Sequence, residues 1–67
     1  MNRAALKECI KDSGMTMAAI SRKSGINQAC LYYKLRTETS EFTASEIVAL
    51  SKTLGMTRSQ RDDIFLT

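Results

Sequence analysis

Several residues in one short run have side chains suited to reading the edge of a base pair. In INQACLYYKL the clearest are Gln28, Ala29 and Tyr33, with Tyr32 adjacent to the last. A glutamine amide sets a donor beside an acceptor, which matches N6 and N7 of adenine, and an alanine methyl packs against the methyl of thymine. Tyr33 offers a ring for apolar base contacts and a hydroxyl for a hydrogen bond. Adjacent tyrosines outside an apolar stripe are better explained by a partner than by folding. The alternative is that Tyr32, and less readily Tyr33, folds back onto the next loop or helix as core.

A surface that reads bases also needs groups that hold phosphate. Thr16 and Met17 stand where a helix would begin, with unsatisfied N–H groups at the positive end of its dipole. Asn27 stands at the start of the following helix, beside Gln28. Lys34, Arg36, Thr39, Ser40 and Thr43 supply cations and hydroxyls on the far side of that helix and along its exit. Arg22 and Lys23 are weaker candidates, because any solvent-facing helix would carry them.

These residues need two short helices joined by a tight turn. Thr16 can cap a helix over 17–24, Gly25 can end it in the left-handed conformation, and Asn27 can cap a second helix over 28–35. So short a connection makes the helices cross steeply and leaves one projecting outward. That is the helix-turn-helix arrangement, in which the second helix enters the DNA major groove. Leu31 and Leu35, one turn apart, mark the buried side of that helix. Ala29, Tyr33 and Arg36 then point outward, with Cys30, Tyr32 and Lys34 on the flanks and Gln28 at the tip.

The rest of the chain reads as support. Leu6, Cys9, Ile10 and Ser13 form one inward stripe of a helix over 3–13. The segment RTETSEF lacks helical periodicity and is expected to be a loop with Phe42 as its apolar plug. Thr43 with Glu46, and Thr57 with Gln60, match the capping box and open helices over 44–54 and 58–65. Ile47, Leu50, Ser51 and Leu54 face inward on the fourth. The expectation is an all-α, five-helix single domain over 1–67.

Composition agrees and narrows the function. The 67 residues are 43% hydrophobic, with three glycines and no proline. The net charge of +3 permits an anionic partner without demanding one. Residues 1–39 carry +4 and residues 40–67 carry −1, so positive charge lies with the proposed reading helix. Cys9 and Cys30 form no CxxC pair, and the chain has no histidine, so zinc and other cofactors are not expected. Both cysteines read as reduced thiols. Catalysis has little support: no histidine can act as a general base, and Cys9 has no basic partner that would make it a nucleophile. No signal peptide or long apolar stretch is seen, so a cytoplasmic protein without membrane contact is expected.

Over residues 16–35 the chain resembles the lambda-repressor/Cro-like helix-turn-helix proteins of phages and bacteria. Gly25 matches the glycine of the turn, Ile26 the apolar residue after it, and Leu31 the apolar position six residues after the glycine. GINQACLYYKL and SEFTASEIVALSKTLGMT are most similar to a subgroup of small phage and prophage regulators. Those share G-I-S-x-x-x-L-x-x-K-L, E-F-T-x-x-E-I and a terminal R-D-x-I-F. The resemblance implies a five-helix domain that binds operator DNA, usually as a dimer. It places base-reading positions on Gln28, Ala29, Tyr32 and Tyr33, and a phosphate-binding cap on Thr16 and Met17. Many members have glutamine where Met17 stands and arginine where Tyr33 stands.

The leading expectation is a transcriptional regulator that occupies double-stranded operator DNA. The alternative keeps the fold but makes a protein the main partner, as in a modulator, an antirepressor or an antitoxin. Phe65 and Leu66, at the end of the chain, are candidates for a homodimer contact. For Phe65 the competing reading is simple packing on the first helix.

Overall fold

The computed structural model describes residues 1–37 and 39–66. Among these residues are five helices and no strand: α1 (Arg3–Ser13), α2 (Met17–Ser24), α3 (Gln28–Arg36), α4 (Ala44–Leu54) and α5 (Arg58–Phe65). Each helix starts on a side chain that accepts from a backbone N–H of its first turn, which relieves some of the unpaired donors there. Both capping boxes are formed, Thr43 with Glu46 and Thr57 with Gln60.

Helix α3 runs one residue beyond the expected end, taking Arg36 out of the loop. Its last turn closes with the Thr37 N–H donating to the Tyr33 carbonyl at 2.9 Å. Residue Glu38 of the expected loop lies outside the described residues.

The core is built from every helix. Leu6 of α1, Ile20 of α2, Leu31 and Leu35 of α3, Leu50 of α4 and Ile64 of α5 are buried together. Ile26 from the α2–α3 turn and Phe42 from the α3–α4 connection complete it. Leu6, Ile20, Leu31 and Leu50 are fully enclosed, and truncating such a side chain to alanine costs roughly 2–5 kcal/mol. Cys9 and Ile10 are half-buried against this cluster. Ser51 is buried on α4 and its hydroxyl donates to the Ile47 carbonyl at 2.7 Å. Helix α2 packs most heavily on α4, with α3 alongside α2. One face of α3 is therefore anchored and the other is left to solvent.

Candidate nucleic-acid interface

The turn between α2 and α3 is fixed by a small set of hydrogen bonds. Gly25 has φ +78°, and its N–H donates to the Ser21 carbonyl at 2.9 Å. The left-handed conformation there costs other residues about 1–2 kcal/mol, which is why glycine ends the helix. The Ser21 hydroxyl donates to the Ile26 carbonyl at 2.5 Å, and the Ser24 hydroxyl accepts from the Ile26 N–H at 3.2 Å. Ser21 thereby ties α2 to the residue that leads into α3.

Both ends of α3 are held. At its start the Asn27 side-chain oxygen accepts from the Ala29 N–H at 2.8 Å. At its end Arg3 reaches across from α1: its Nε donates to the Lys34 carbonyl at 3.2 Å and its Nη2 donates to the Ser40 carbonyl. Arg3 was not singled out from the sequence. The available signal was its place at the head of the α1 stripe, one turn before Leu6, where an inward arginine must find acceptors.

The candidate base-reading residues lie on the solvent side of α3. Gln28 and Ala29 are exposed at its N-terminal turn, beside exposed Cys30. Tyr32 is 49% and Tyr33 51% exposed. Tyr32 is thus outside the core, and instead lines a cleft with Leu35 and Arg36.

The candidate phosphate-holding residues fall into two groups. Thr16, at the start of α2, is exposed, and its hydroxyl oxygen accepts from the Ala19 N–H at 3.1 Å. Met17 follows it, half-buried. A capping threonine still has its own O–H to donate, and a capping asparagine keeps its amide N–H groups, so Thr16, Asn27 and Thr43 can cap and donate together. Arg36, Thr39 and Thr43 are exposed on the other side, while Ser40 is half-buried and bound through its carbonyl to Arg3.

Lys34 has a different environment from Arg36. Its Nζ lies 2.7 Å from Glu46 Oε1 and 5.5 Å from the centre of the Phe42 ring, with its side chain only 20% exposed. The ammonium faces α4, not the surface that carries Tyr33. Burial pushes the Glu46 carboxyl up, but hydrogen bonds from Lys34 and Thr43 and the Lys34 charge outweigh it, so its pKa lies below the ordinary value.

Near the C-terminus, the Phe65 ring meets Phe42 edge-on, with centroids 6.2 Å apart. This contact gives Phe65 a place against the core, in addition to any role at the surface. Leu66 is 76% exposed. Among the described residues, no group of three or more His, Cys, Asp or Glu is arranged to hold a metal ion, and no helix is long and apolar enough to cross a membrane.

A capped helix, a glycine turn and an outward-facing second helix, within an all-α bundle, define a helix-turn-helix domain. Comparison with protein families matches residues 5–60 to the Cro/C1-type HTH DNA-binding domain. The chain belongs to that family of DNA-binding domains. Comparisons with curated proteins and with solved structures gave no match.

Proposed function

We propose that the chain is a sequence-specific transcriptional regulator of the phage Cro or repressor type, acting in the cytoplasm by occupying operator DNA. Helix α3 enters the major groove, where Gln28 and Ala29 read base edges at the tip and Tyr32 and Tyr33 contact bases further along. Thr16, Met17 and Asn27 hold phosphate on one side; Arg36, Thr39, Ser40 and Thr43 hold it on the other. Lys34 contributes by fixing α3 to α4, since its ammonium is already taken by Glu46. The observation that carries this reading is the pairing of a rigidly held α3 with four exposed residues of base-reading type on its free face.

Self-association through the C-terminal region is part of the proposal. Phe65 and Leu66 line a shallow groove with Ile47 and Val48, and Val48 is 45% exposed. A two-fold contact there would set two recognition helices against successive major grooves, about 34 Å apart.

Titration of labelled duplex DNA at several salt concentrations tests the reading. A DNA binder must lose affinity as salt rises, with a log–log slope of about −0.9 for each phosphate neutralised. Absence of duplex binding at low salt would turn the function toward a protein-binding modulator, antirepressor or antitoxin that uses the same tyrosine-bearing surface.

A further inference from the structure

A cleft of about 370 Å³ opens between α1, the start of α2 and the C-terminal half of α3. Ile10, Met17, Leu35 and the Tyr32 ring line it, while Lys7 and Arg36 bring positive charge to it. Among the described residues no carboxylate lines it, and neither Lys7 nor Arg36 forms an ion pair. Its volume falls at the low end of the roughly 300–1,000 Å³ seen for small-ligand sites. Met17 adds an unbranched, adaptable thioether to the wall, a side chain that re-packs readily around a guest.

We propose that this cleft binds a small organic anion with an apolar body, of the arylalkyl carboxylate class. The apolar body lies on Ile10, Met17 and Leu35 with an edge against the Tyr32 ring. The carboxylate sits between Lys7 and Arg36. Charge complementarity selects this occupant: an uncharged apolar guest gains nothing from the two exposed cations, and a bare phosphate leaves the apolar wall uncovered.

The site also gives the ligand an effect. Tyr32 and Arg36 belong to the proposed DNA-reading helix, and Met17 lies at the proposed phosphate-holding start of α2. An occupant therefore competes with DNA, and this consequence rests on the function proposed above. Binding of the anion itself does not.

The two claims separate in one experiment on the full chain, carrying isotope-labelled methionine and isoleucine methyls and titrated with 4-phenylbutyrate, 4-phenylbutanol and inorganic phosphate. Phenylbutyrate is expected to shift the Met17 and Ile10 methyl resonances saturably and to leave Met56, which lines a different groove, unmoved. The alcohol and phosphate should each bind at least about fivefold more weakly, and Lys7→Gln or Arg36→Gln should weaken phenylbutyrate roughly two- to fivefold. No saturable shift, an equal response to the alcohol, or the same shifts with phosphate alone would each overturn the site. In a parallel arm, phenylbutyrate should weaken duplex binding. If the chain binds acid and DNA at once without competition, the coupling is overturned while the site stands. If it binds acid but no DNA, the DNA-reading proposal fails and the cleft survives it.

Discussion

Lys34 and Glu46 join α3 to α4 through a single carboxylate oxygen. Glu46 Oε1 accepts from Lys34 Nζ at 2.7 Å and from the Thr43 N–H at 2.8 Å. The residue that closes the capping box of α4 therefore also holds the last turn of α3, and Arg3 holds the same turn through the Lys34 carbonyl.

This arrangement makes stability sensitive to acid. The folded pKa of Glu46 lies below its unfolded value of 4.5. Its contribution is therefore present above pH 4.5 and is lost as the pH falls through the lower folded value. Glu46→Gln keeps the capping bond but loses the charge that pairs with Lys34, and should lower stability at neutral pH by up to about 1 kcal/mol, or a few degrees in Tm. It should also flatten the loss of stability on acidification. Thermal melts of both proteins between pH 3 and 7 check this, and parallel pH profiles would show that Glu46 plays no such part.

Lys34 and Arg36, two residues apart on α3, should behave differently when truncated. Arg36→Ala is expected to weaken binding to all duplexes alike and reduce the salt slope by about 0.9, with little change in Tm. Lys34→Ala is expected to lower Tm by several degrees, because it strips a partly buried carboxylate of its partner, and to leave the salt slope nearly unchanged. Melts and salt titrations of the two variants separate the roles; the reverse pattern would reassign them.

Much of this scaffold was legible in the chain because local chemistry fixes helix ends. Thr16, Asn27, Thr43 and Thr57 are caps whose partners lie within three residues, and Gly25 supplies a backbone conformation that other residues resist. The apolar stripes placed Leu31, Leu35 and Leu50 in the core for the same reason, as spacing alone decides the inward face of a helix. Long-range polar contacts left no such trace. Arg3 finds its acceptors 31 and 37 positions away, and Lys34 finds Glu46 twelve positions away. Periodicity could mark Lys34 as a flank residue of α3 but not say that its flank meets α4. The extra turn residue Arg36 went unseen because a polar sequence carries no apolar rhythm by which to end a helix.

Gln28 should carry discrimination rather than general affinity. Gln28→Ala is expected to cost roughly 1–3 kcal/mol on the best site and to relax preference at one base position, leaving random DNA unaffected. Competition binding against a set of single-base variants of the site measures this. Equal losses on specific and random DNA would move the tip of α3 out of the groove.

Leu66 offers the cleaner test of self-association, since Phe65 already packs on Phe42. Leu66→Ser should reduce dimer formation in sedimentation equilibrium with little loss of Tm, whereas Phe65→Ala should lower both. Unchanged association in the doubly substituted Phe65→Ala, Leu66→Ala chain would remove the C-terminal contact from the proposal.

The most direct test of the DNA-reading surface is selection of bound duplexes from a randomised pool, first at low salt and then at physiological salt. The expected result is enrichment of a two-fold site whose half-sites lie about 10 base pairs apart, with Gln28→Ala losing preference at one position in each half. Recovery of DNA without enrichment, or no recovery at either salt, would contradict sequence-specific reading by α3.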